Sequence, residues 1–133
     1  MNANIFIAEH VTFHDDGTFS LLRGGIDQFR GKPGEQIPIS GRLFVMIHAD
    51  RHETGDHEFK LSVIDLDGNR VVPDIEGEFH VPEGGGRSKF QVPFQFAIDD
   101  PGSYEFGFSI NGDIKSRWGF EIQAKQQSDS EGA

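Results

Sequence analysis

Between Tyr104 and Ile122 apolar and polar side chains alternate with period two, a pattern that suits extended chain with one buried face and little else. Tyr104, Phe106, Phe108 and Ile110 lead into Asn111-Gly112-Asp113, and Ile114, Trp118, Phe120 and Ile122 follow. The intervening Glu105, Gly107, Ser109, Lys115, Arg117, Gly119 and Glu121 are polar or small, so a hairpin is predicted. Asn-Gly signals a two-residue type I′ turn, but that turn sets Ile110 against Asp113 and Phe108 against Lys115. With Asn111, Gly112 and Asp113 all in the loop, Ile110 faces Ile114, Phe106 faces Trp118 and Tyr104 faces Phe120. The longer loop, or a bulge, is therefore expected.

The chain has 133 residues, a length for one domain with a real core. Thirteen Phe against one Trp and one Tyr make phenylalanine the main core filler, and 17 Gly supply the reversals of an all-β chain. Without cysteine there is no disulfide framework, thiolate nucleophile or cysteine zinc site. No leader pattern opens the chain and no apolar run approaches membrane-spanning length, which makes a cytoplasmic protein with no membrane association the expectation. A net charge of −10, with Lys and Arg scattered, disfavours nucleic acid as a partner.

Asn4 to Phe13 alternates through Ile5, Ile7, Val11 and Phe13 with a break at Glu9, and His14-Asp15-Asp16-Gly17 turns it into a strand over 18–22. The Gly24-Gly25 pair marks a bend where the chain leaves one sheet for the other. Residues 28–40, with two prolines and two glycines, read as a long crossing loop. Gly41 to Ala49 is apolar at nearly every position from Leu43 to Ile47, a strand covered on both faces or lying against a partner. A half-buried strand through Phe59, Leu61 and Val63 ends in the Asp65-Leu66-Asp67-Gly68-Asn69 turn. Arg70 to Val81 is broken by Pro73 and reads as edge segments. After the Gly84 to Gly86 loop, Phe90 to Ile98 alternates strictly, and Pro93 again argues for an edge or bulge. The fold class expected is an all-β, immunoglobulin-like antiparallel β-sandwich of seven to eight strands over 1–123, with a disordered tail over 124–133.

Leu21-Leu22-Arg23-Gly24-Gly25-Ile26-Asp27, His57-Glu58-Phe59, Asp65-Leu66-Asp67-Gly68, Glu76-Gly77-Glu78-Phe79 and Pro101-Gly102-Ser103-Tyr104-Glu105-Phe106 together resemble a bacterial family of uncharacterised proteins, a domain of unknown function. The resemblance spans most of the chain apart from the tail. It implies a small all-β domain, and it carries no catalytic residues over to this sequence.

Alternating strand direction gathers the His14 to Asp16 turn, the loop from His48 to His57, the Gly84 to Gly86 loop and the Asn111 to Asp113 turn at one end. Asp15, Asp16, Asp50, His52, Asp56, His57 and Asp113 are thus the metal candidates, carboxylates suiting Ca²⁺ or Mn²⁺ and imidazoles Zn²⁺ or Ni²⁺. His52-Glu53-Thr54-Gly55-Asp56-His57 misses the zinc-protease spacing by one residue and lies among strands. Asp65 to Asn69 with Glu76 imitates a calcium loop, but Arg70 stands at the required glycine, so a β-turn is the reading. No nucleophile elbow or phosphate-cradling glycine loop is present, and no cofactor is expected. Tyr104 and Trp118 belong to the inward series, which argues for core packing over a sugar platform. The function expected is a non-catalytic module for a protein partner or for homo-oligomerisation, on the strength of the doubly apolar strand and weakly protected edges. The alternative is a metal-dependent binding or hydrolytic domain at the His/Asp end.

Overall fold

A computed structural model describes residues 1–124. Its strands are β1 (Asn2–Ala8), β2 (His10–Phe13), β3 (Phe19–Leu22), β4 (Gln28–Gly31), β5 (Ile37–Ala49), β6 (Gly55–Asp65), β7 (Ile75–Val81), β8 (Gly86–Ile98), β9 (Gly102–Ile110) and β10 (Asp113–Ala124), with one 3₁₀ turn at Arg51–Glu53. They form a three-stranded sheet ordered β1-β5-β8, a five-stranded sheet ordered β4-β10-β9-β6-β7, and the separate hairpin β2-β3. The chain is all-β, as expected.

The core lies between the two large sheets because each turns its apolar period inward. Leu43, Val45 and Ile47 from one layer meet Leu61, Phe106, Phe108 and Phe120 from the other, all nearly or wholly buried. Where β7 and β8 come together, the closure is aromatic: Phe90 lies 5.5 Å from Phe79 and 5.3 Å from Phe59. On the far side the Trp118 indole N–H donates to the Ile26 carbonyl at 2.9 Å and its ring meets Phe6 edge-on at 6.0 Å.

Three expectations are corrected, the third in part. Residues 28–40 are not a long loop, since β4 pairs along β10 and β5 already begins at Ile37. Ile37 and Ile39 are buried while Pro38 and Ser40 are exposed, a period-two signal that the prolines and glycines masked. The sandwich is not purely antiparallel, because β4 runs parallel to β10. Of the two alternatives expected at the hairpin, the longer loop is not formed and the bulge is: Asn111 and Gly112 make a two-residue turn with positive φ, 51° and 91°, and Ile110 faces Asp113. A bulge between Ile114 and Ser116 then restores Phe106 opposite Trp118 and Tyr104 opposite Phe120, and it leaves Ile114 facing outward and 58% exposed. Of the tail expected over 124–133, Ala124 ends β10 and the remainder lies outside the described residues.

The strand apolar on both faces is covered by the chain itself. Phe44, fully buried, points away from the main core into a second cluster with Ala8 and Val11, against which Phe19, Leu21 and Met46 pack. The β2-β3 hairpin supplies that cover, so no outside partner is needed there. The edges are also better protected than expected, with Glu76 and Glu78 on β7 and Arg87, Lys89 and Pro93 on β8.

Candidate functional site

At one end of the sandwich three loops are tied together. Asp50 opens the 3₁₀ turn, whose Glu53 reaches back to accept the Asp50 N–H at 2.8 Å and also meets the Met1 amine at 3.1 Å. The Thr54 hydroxyl bonds the Arg51 and Pro82 carbonyls at 2.8 and 3.3 Å, linking this turn to the β7-β8 loop. His57 bonds the Glu53 carbonyl through Nε2 at 2.6 Å and Asn111 through Nδ1 at 2.8 Å, and its ring stacks on Phe79. Asn111 in turn accepts the Glu58 N–H on its side-chain oxygen at 3.0 Å while its own N–H goes to the Glu58 carbonyl at 2.8 Å. That pins the β9-β10 turn to β6.

Of the seven candidates, Asp50 and His52 come together, and the third member of their group is Glu53, all with ligating atoms within 4.8 Å. Glu53 went unnoticed in the sequence, although Asp50-x-x-Glu53 has the spacing of a helix-start capping box. The others do not join that group. Asp56 pairs with His80 at 2.8 Å, and His57 is spent on Glu53 and Asn111. Asp113 is exposed at the start of β10. Asp15 and Asp16 sit in the β2-β3 turn, which is held to β8 by the Lys89 ammonium on the Gly17 carbonyl. Asp16 accepts both the hydroxyl and the N–H of Thr18, at 2.6 and 3.0 Å, which hold its carboxyl below the ordinary range. The look-alike calcium loop is a turn whose Asp65 carboxylate accepts the Asp67 and Asn69 N–H groups, both at 2.9 Å.

A broad concavity lies elsewhere, on the outer face of the five-stranded sheet. Its floor is short, with Ser62 on β6 and Gly107 and Ser109 on β9, while longer side chains rise around it. The result is a shallow trough of about 690 Å³ beside Glu58, Glu76 and Glu78, continued by about 600 Å³ beside Ile64, Arg70 and Arg117. Ile114, displaced outward by the bulge, lines both parts. Sequence reasoning passed over this face because serine and glycine on a polar period read as plain solvent-facing positions.

Two packed sheets, an accessory hairpin closing one outer face and a trough on the other define a small all-β domain. The chain belongs to a family of unknown function, DUF6941, which matches residues 4–123. Among curated proteins none matches it. Among solved structures it is similar to the Pseudomonas fluorescens alkylpurine DNA glycosylase AlkC bound to DNA containing an abasic site analog, with 14% identity and a TM-score of 0.48. That likeness covers 92% of this chain and 31% of the other. No helix among the described residues is long and apolar enough to cross a membrane.

Proposed function

We propose that this chain is a non-catalytic interaction module on an immunoglobulin-like sandwich, and that its working surface is the outer face of the five-stranded sheet. The immunoglobulin-like assignment is supported by strand order: β1-β5-β8 corresponds to strands A-B-E, and β10-β9-β6-β7 to G-F-C-C′. It is supported too by the Tyr104 hydroxyl, which donates to the Asp100 carbonyl at 2.6 Å just before β9, the arrangement of a tyrosine corner. The β2-β3 hairpin is an insertion on that plan.

The observation that carries the functional reading is Ile114. A bulge that corrects register for the aromatic pairs leaves this isoleucine 58% exposed over a floor of serine and glycine. An apolar side chain set beside a concave surface offers area that a docking partner would remove from water, and that is the support for this reading. A photo-reactive side chain placed at Ser109, with one at Glu35 as control, tests this. Cross-linked product from position 109 alone is expected, and equal yield from both positions would remove the support.

A second reading, a metal-dependent binding or hydrolytic domain, rests on the convergence of Asp50, His52 and Glu53. It is tested by metal analysis of untagged protein with thermal shifts in Ca²⁺, Mn²⁺ and Zn²⁺. Stoichiometric metal released by Glu53→Gln supports it; no metal and no stabilisation end it.

A further inference from the structure

We infer, building on the interaction surface just proposed, that the partner is a second copy of this chain, docked face to face about a two-fold axis that crosses the strands at the level of Leu61. The strand register places the charges for it. Glu78 lies opposite Glu58 and Arg70 opposite Ile64, so the two sit on the same flank of β6, three positions to either side of Leu61. A two-fold rotation at that level carries each Glu78 onto Arg70 of the other copy, and does so twice. On β10 the same axis falls between Ile114, which faces Ser109, and Arg117, which faces Gly107. Each exposed isoleucine then meets the methylene stem of the other copy's arginine.

Glu78 is exposed and makes no ion pair among the described residues, and the Arg70 side chain is 64% exposed although its Nε already meets Asp74 at 3.4 Å. Arg117 makes no ion pair among the described residues. Along the midline the floor consists of Ser62, Gly107 and Ser109, short enough for two sheets to approach. One half of the trough carries Glu58, Glu76 and Glu78 with Lys60 among them, and the other carries Arg70 and Arg117 with Glu105, so a nucleic acid or acidic segment would meet mainly like charge at the first and a basic segment mainly like charge at the second. A partner polarised in the same way satisfies both halves, which is what an isologous interface demands.

The test is sedimentation equilibrium of the wild type, Arg70→Glu, Glu78→Arg and the double variant, each checked for an unchanged melting temperature. A wild-type dimer is expected, weakened at least about tenfold by either single change, which sets like charges together twice. The double variant exchanges the two signs across the axis and is expected to recover the wild-type affinity. A wild type that stays monomeric up to about 1 mM overturns the inference. So do single variants that dimerise as tightly as the wild type, or a double variant that stays weak. The cross-link at Ser109 separates the two levels: a product with a different protein and a monomeric wild type sinks the second copy but keeps the interaction surface, whereas no product at 109 sinks the surface as well.

Discussion

The rings of Phe19 and Phe44 lie with centroids 4.3 Å apart and planes inclined by 33°, so a residue on the outer face of β5 is buried by the chain's own hairpin. Phe13 adds a second ring 6.1 Å from Phe44. Truncating Phe44→Ala leaves a cavity among these rings, and about 3–5 kcal/mol of stability is expected to go. Urea unfolding measures the loss, and hydrogen exchange is expected to show β2-β3 opening first. A cost below about 1 kcal/mol would mean the hairpin is not held by this ring.

Two neighbouring glycines separate backbone strain from collision. Gly84 has φ +88° with nothing near its missing Cβ, whereas Gly85 has φ +77° and a Cβ there would stand 2.6 Å from the Ala49 carbonyl oxygen. Gly84→Ala is expected to cost about 1–2 kcal/mol, the left-handed penalty alone. Gly85→Ala should cost clearly more, because the colliding atom is backbone and belongs to the strand that leads into the Asp50 turn. Equal melting temperatures for the two variants would contradict this contact.

Asn111 both accepts from Glu58 and meets His57, so Asn111→Gly keeps the positive φ while removing both side-chain bonds. A loss of about 1–3 kcal/mol is expected, and Asn111→Ala should add roughly 1 kcal/mol for its backbone conformation. Chemical denaturation of the pair checks the order, with Ala below Gly below wild type.

Acid is expected to destabilise the fold through Asp16 and Glu53. Asp16 is held below its ordinary range by the Thr18 hydroxyl and N–H, and Glu53 by the Asp50 N–H and then the Met1 amine. Each binds protons less readily folded than unfolded, so its contribution is complete above the ordinary carboxylate range and is lost as pH falls through the depressed values. Melting temperature against pH should therefore fall less steeply on the acid side in Asp16→Asn. A variant curve parallel to the wild type would contradict the assignment.

Tyr104 carries the opposite sign. Burial first, then Asp100, Asp65 and Asp99, raises its phenol above the ordinary value. The fold favours the neutral form, and its contribution is complete below the ordinary tyrosine value and lost as pH rises through the raised one. Tyr104→Phe also removes the bond to the Asp100 carbonyl, worth about 0.5–1.5 kcal/mol. The expected outcome is a lower melting temperature near neutrality with a flatter alkaline limb.

Much of the fold was legible where the pattern was local. Phe106, Phe108, Trp118 and Phe120 turn inward as their alternation requires, and β7 and β8 lie at sheet edges as Pro73 and Pro93 imply. Of the two alternatives at the hairpin the bulge is the one realised, because a single extra residue, Lys115, reconciles an Asn-Gly turn with the aromatic pairing. For the site, Asp50 and His52 were legible as neighbours in one loop. The separation of Asp15 and Asp16 was not, because the hairpin that carries them folds across the outer face of the other sheet instead of continuing it.

Period-two alternation and turn residues are short-range properties, and from them alone follow the extended strands, the phenylalanine core and the direction of most side chains. What covers a strand's second face is set by packing between segments far apart in the chain. Only the tertiary structure decided that Phe19 shields Phe44, that β4 runs parallel to β10, and that Ile114 stands exposed across a floor of small residues from Glu78 and Arg70. The free energy of those pairings belongs to contacts that no local window of residues contains.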